Sequence, residues 1–141
     1  MSIIAVAVFL TLAVIAGLHV AWGFGLRWPA RDERSLVALV IGATDHTRMP
    51  SMVQCLLAAA AIFAAGLVAL ALARVVPVPA DLASVAGALA AVIFAGRGAA
   101  AYVPAWRQRF SQQPFAAMDR TYYGPLCLLL ALAFAGLTMA S

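Results

Sequence analysis

The side chains able to do chemistry in this sequence are few, and they fall at the ends of long apolar stretches. His19 and Trp22 close the first stretch, Asp45 and His46 precede the second, and Arg97 stands between Gly96 and Gly98 near the end of the third. Asp119, Tyr122 and Cys127 lead into the fourth, and Cys55 begins the second. His19, His46, Cys55 and Cys127 together are a zinc-ligand set by type, yet their spacing matches none of the compact structural zinc patterns. Haem would take His19 as an axial ligand, with or without His46. His19 or Asp119 could serve as a general base, but no nucleophile, carboxylate dyad or phosphate-cradling glycine loop accompanies either. Neither cysteine belongs to a C-x-x-C pair, so thiol redox chemistry has no local signature.

These residues act only where the fold holds them, and the fold follows from the solvent. Of 141 residues, 66% are hydrophobic and 10% charged, against about 45 to 50% and about 25% in an ordinary soluble domain. The mean hydropathy is +1.03, and a water-soluble fold is excluded. A bilayer core about 30 Å thick takes roughly 20 helical residues. Residues 1–26, 49–73, 82–106 (interrupted only by Arg97) and 121–141 meet that length. They are rich in Ala and Leu without alternation, and an open sheet would leave unpaired backbone groups in hydrocarbon.

The expected fold is therefore all-α: one compact four-helix transmembrane bundle over residues 1–141, with spans at about 3–24, 52–75, 80–102 and 125–140. Pro77 and Pro79 isolate a turn between the second and third helices, and Pro50 and Pro125 stand where helices can begin. The opening MSIIAVA has no basic residue, and its apolar run exceeds the roughly 7 to 15 residues of a signal core, so the first stretch reads as a retained helix.

The first connection contains SLVALVIG, residues 35–42, which is apolar but too short to cross. It reads as a short interfacial helix with Asp32 and Glu33 in its first turn and Gly42 at its end. The third connection mixes Trp106, Phe110, Phe115, Tyr122 and Tyr123 with Arg107, Arg109 and Arg120, the composition of a headgroup boundary. All nine basic residues are arginines, giving a formal charge of +4. Arg27, Arg31, Arg34, Arg48, Arg107, Arg109 and Arg120 lie in the two long connections, and Arg74 alone in the short one. This asymmetry predicts cytoplasmic long connections and outward termini in a bacterial inner membrane, and it is not the footprint of a nucleic-acid partner. Both cysteines then sit near cytoplasmic helix ends, where a disulfide is disfavoured.

Small residues recur every four positions, as in Ala13, Gly17, Ala21 and Gly25 or Ala83, Gly87, Ala91, Ala95 and Ala99, a spacing that lets helices approach closely in lipid. The outer half offers only Thr11, Ser84 and Thr138 as uncharged polar side chains, so no polar path across the bilayer is visible and transport is disfavoured. His19, within a span, either faces a ligand or partner or donates as a neutral ring to a backbone carbonyl between helices. Arg97 lies about 25 Å along its helix from Ala80 and can snorkel to the headgroups, although its glycine neighbours would also admit a backbone or ligand beside the guanidinium. Asp119 beside Arg120 reads as a solvated pair or a helix-end charge.

The segments LHVAWGFG, residues 18–25, and FAAMDRTYYGPLCLLLAL, residues 115–132, resemble an uncharacterised family of small bacterial four-helix membrane proteins, a domain of unknown function. The resemblance rests on His-x-x-Trp at the end of the first helix, on Arg97, Tyr102 and Val103 near the end of the third, and on Phe115, Asp119, Pro125, Leu126 and Cys127 entering the fourth. It implies the fold and the location but no reaction. It also raises His19, Trp22, Arg97 and Asp119 as site residues, ahead of His46.

The expectation is a protein that binds a partner membrane protein, a second copy of itself, or a small amphipathic ligand such as a lipid or quinone. The site would lie at the cytoplasmic boundary, built from His19, Trp22, Arg97, Asp119 and Tyr122, with no cofactor. The alternatives are a haem or metal redox protein using His19, with His46 as a further ligand, and an enzyme acting on a lipid or isoprenoid.

Overall fold

The computed structural model describes residues 1–141 and is all-helical, with no strand. Its helices are α1 (Ser2–Gly23), α2 (Glu33–Val40), α3 (Met52–Leu72), α4 (Ala80–Ala100), α5 (Pro104–Arg109), α6 (Phe115–Met118) and α7 (Gly124–Met139), with a π-helical turn, Asp119–Tyr123, joining the last two. α6, the π turn and α7 run on as one helix, Phe115–Met139. That helix, α1, α3 and α4 are each long and apolar enough to cross a membrane, which is compatible with a multi-pass membrane protein. Only 26 of 141 residues are buried, and large aliphatic side chains such as Ile3, Val14, Leu57, Val85, Val92 and Leu132 face outward, as on helices that are apolar all round.

Local chemistry sets most of the helix ends. The Ser51 hydroxyl accepts from Gln54 N–H at 3.3 Å while the Gln54 side chain accepts from Ser51 N–H at 2.9 Å, a capping box that starts α3. α3 stops at Leu72 rather than near 75. Arg74 takes a left-handed φ of 60° and Val75 N–H reaches back to the Leu70 carbonyl at 2.9 Å, so the last carbonyls are satisfied by a closing turn ahead of Pro77. In the first connection Asp32 caps α2 from outside, its carboxylate accepting from Ser35 N–H at 2.8 Å, with Glu33 in the first turn. Gly42 ends α2 at φ 74°, and a Cβ there would run into the Phe115 ring, so the position needs glycine on both counts.

The fourth long helix departs most from the sequence expectation. It begins at Phe115, ten residues before Pro125. Proline lacks an N–H and its ring clashes with a carbonyl one α-turn back, which argues for a helix start at Pro125. The π turn removes that conflict. Gly124 N–H bonds to the Asp119 carbonyl five residues back, widening the helix just before the proline and letting it continue through.

The long helices pack as two antiparallel pairs. In the first, α1 lies on α3, with Phe9 and Leu12 against Gly66 and Cys55 against Gly23. In the second, α4 lies on α7, with Leu128 against Gly98 and Ala101 against Gly124. Gly66, Gly87 and Gly98 thus serve the close approach expected of small residues, whereas Gly17 and Gly96 face open space. The pairs join most densely at the end that carries the chain termini, where Ser84 and Ser141 share a 3.2 Å hydrogen bond. There Val8, Leu12, Leu72, Phe134 and Leu137 form the core, with Phe94 stacked on Phe134 at 5.7 Å. Toward the opposite end the pairs enclose a cavity.

Candidate functional site

Asp119 organises the end of the molecule opposite the termini. It opens the π turn, is only 3% exposed, and both carboxylate oxygens are engaged. Arg97 Nη2 of α4 donates to Oδ1 at 2.6 Å, and Trp106 Nε1 of α5 donates to Oδ2 at 2.9 Å. The Arg97 guanidinium lies 4.9 Å from the centre of the Trp106 ring, so the same tryptophan bonds the anion and faces the cation. Arg97 therefore does not simply snorkel, and Asp119 is neither a solvated charge nor the partner of Arg120. The glycines explain the geometry: at Gly98 and Gly124 the backbones of α4 and α7 come so close that a Cβ on Gly98 would sit 2.9 Å from the Gly124 carbonyl oxygen. That approach brings Arg97 within reach of Asp119.

Beside this ion pair lies an apolar cavity of about 520 Å³, lined by 17 residues from all four long helices and from the first connection. Arg97 is its one charged lining residue, and His19 the one other ionisable nitrogen base. The walls include Leu12, Ile15, Phe94, Leu126 and Leu130, and Trp28, Leu39 and Val40 close it from the first connection. Two bonds hold that covering segment in place. Trp22 Nε1 donates to the Trp28 carbonyl at 2.8 Å, and the Tyr123 hydroxyl donates to the Leu39 carbonyl at 3.1 Å.

Two polar atoms here lack protein partners. His19 Nδ1 lies 2.8 Å from the Ile15 carbonyl of its own helix. A carbonyl only accepts, so Nδ1 carries a proton, and Nε2 has no protein partner. The bond is thus within α1 and not between helices. Arg97 Nη1 is buried and donates to nothing. Buried donors in native proteins are almost always satisfied, and this one is an exception.

Of the residues singled out by sequence, His19, Trp22 and Arg97 line the cavity, and Asp119 stands behind Arg97. Tyr122 does not join them: it is 60% exposed on the outer side of the π turn. Its neighbour Tyr123 takes the cavity position instead, because the π turn shifts which residue faces inward. Trp106 was legible only as an interfacial aromatic, since nothing in its local sequence points to Asp119.

The metal-ligand set does not assemble, and no group of three or more His, Cys, Asp or Glu side chains could hold an ion. His19 and Cys127 share the cavity, Cys55 packs against Gly23, and His46 bonds Asp45 on the surface at 2.9 Å. For Asp119, engagement of both oxygens describes a structural anion better than a base awaiting substrate.

The surface around His46 ties the two long connections together. Arg109 Nη1 and Nη2 donate to the two oxygens of Asp45 at 2.8 and 3.1 Å. Arg109, helped by the His46 ring, holds the Asp45 carboxyl down at about 2, from an ordinary 3.8. A depressed carboxyl stabilises the folded state above its unfolded value and loses that contribution as pH falls through the folded one, so the tie is complete above about pH 4 and is lost toward pH 2. A carbon-detected NMR titration should find the Asp45 midpoint near 2, rising toward the ordinary value in Arg109→Gln; a midpoint near 4 in the unsubstituted protein would contradict the pairing.

No curated protein and no solved structure matches the chain. One family model does, described as "Protein of unknown function (DUF3995)", and its match over residues 12–134 takes in the cavity, the ion pair and the π turn. With most of its length covered by that model, the chain belongs to the DUF3995 family.

Proposed function

We propose that the protein binds a small amphipathic ligand of the lipid or quinone type, with its apolar body in the cavity and its polar head at His19 and Arg97. The observation that carries this reading is the cavity itself. About 520 Å³ falls within the roughly 300 to 1,000 Å³ of ligand pockets, the lining is 14 of 17 hydrophobic, and its few polar side chains include His19 and Arg97, the latter with a buried unpartnered donor. Native mass spectrometry of the full chain released from lipid nanodiscs tests it. Wild type should carry a small-molecule adduct whose occupancy falls at least fivefold in Cys127→Phe, which fills the cavity, and is unchanged in Arg74→Ala at the far end. No adduct, or equal occupancy in Cys127→Phe, overturns the proposal.

We also propose where the protein resides. Four apolar helices and seven arginines at one end support insertion in a bacterial inner membrane with that end cytoplasmic. The cavity then opens near the cytoplasmic headgroups, where an amphipath enters from the bilayer. In a background with Cys55 and Cys127 replaced by serine, Val75→Cys should label with an impermeant thiol reagent added outside intact cells, and Ser111→Cys should label only after permeabilisation. The opposite pattern inverts the topology.

A further inference from the structure

Resting on that cavity reading, we infer that the ligand head is uncharged and carries a carbonyl oxygen, as in a quinone or an acyl ester, and that the site discriminates against free carboxylates and phosphates. A lone arginine in an apolar cavity would select an anion, but here the Arg97 charge is already matched by Asp119 at 2.6 Å, and no second cation lines the cavity. In that role Asp119 is held by Arg97 and Trp106 and is buried.

An anionic head approaching Arg97 Nη1 would therefore add a second negative charge close to a buried carboxylate, where low dielectric makes like charges repel strongly. A neutral carbonyl oxygen meets the same N–H without that repulsion. It accepts from a guanidinium whose Nη2 alone is engaged and whose buried Nη1 has no partner, a donor in search of an acceptor rather than a charge in search of a counter-charge. With Nδ1 of His19 taken by the Ile15 carbonyl, Nε2 is left for a hydroxyl of the head, so a head with both carbonyl and hydroxyl groups completes both contacts.

The test uses three probes with ten-carbon tails, added to full-length protein in zwitterionic nanodiscs and followed by isothermal titration: a decyl benzoquinone, monodecanoylglycerol and decanoate. At least one neutral probe should bind ten or more times tighter than decanoate. Asp119→Asn, which removes the counter-charge and keeps the side-chain shape, should raise decanoate affinity at least tenfold and change the neutral probes less than threefold. Decanoate binding wild type as well as both neutral probes overturns the inference and leaves the cavity reading standing. Binding of none of the three overturns both. Because wild type alone decides the selectivity, an unstable Asp119→Asn does not blunt the test.

Discussion

Arg97→Ala is expected to destabilise the protein by about 3–5 kcal/mol, the cost of removing one partner from a buried ion pair. The expectation is asymmetric, and the asymmetry is the informative part. Without Arg97, Asp119, 3% exposed in the unsubstituted protein, keeps the Trp106 N–H as its remaining side-chain donor. Without Asp119, by contrast, Arg97 can turn its 31%-exposed side chain toward solvent or headgroups. Asp119→Ala should therefore cost clearly less than Arg97→Ala, and the double variant should be more stable than Arg97→Ala alone, because it leaves no charge stranded. Unfolding by graded denaturing detergent, with α4–α7 packing followed by Trp106 fluorescence, reads all three. Equal stability of Arg97→Ala and wild type would mean that the pair contributes nothing to the fold.

The second large effect is expected where α4 meets α7. A Cβ on Gly98 would lie 2.7 Å from Leu128 Cγ and 2.9 Å from the Gly124 carbonyl oxygen. The leucine can shift but the carbonyl belongs to a helix backbone, so Gly98→Ala should force the helices apart and cost about 1–3 kcal/mol, as overpacking does in a filled core. Gly96, two residues away on the same helix, meets nothing within 4 Å, and Gly96→Ala should be neutral or stabilising by at most about 1 kcal/mol. The pair of variants separates packing from helix propensity in the same detergent assay. Gly98→Ala should also weaken ligand retention, since separating α4 from α7 draws Arg97 away from Asp119. Equal behaviour of the two variants would remove close helix approach as the device that builds the site.

How far the site was legible depends on how local each determinant is. The interfacial helix α2 followed from an apolar octet bounded by an acidic start and Gly42, because caps and dipole preferences act within one turn. Its role as a cover over the cavity did not, since that rests on Tyr123 reaching the Leu39 carbonyl across 84 positions. Pro125 was a sound reason to start a helix there, and it misled because the π turn offers a second way to accommodate proline. The same turn exchanges Tyr122 for Tyr123 at the cavity, a one-residue difference to which composition and spacing are blind.

The sequence by itself determined the elements. Long runs of apolar residues with 10% charge require helices that satisfy their own backbone, and the arginines gather at one end of those helices. Only the tertiary structure decided what the few polar groups are for. Arg97 and Asp119 are 22 positions apart, each beside a more obvious local reading, and they pair because two glycines let α4 and α7 touch while a π turn and Trp106 aim the carboxylate. Partner choice at that range depends on backbone separations of a few ångströms. Residue type and spacing along the chain do not encode it, and it is that choice which turns a basic residue in an apolar helix into a neutralised donor at a cavity wall.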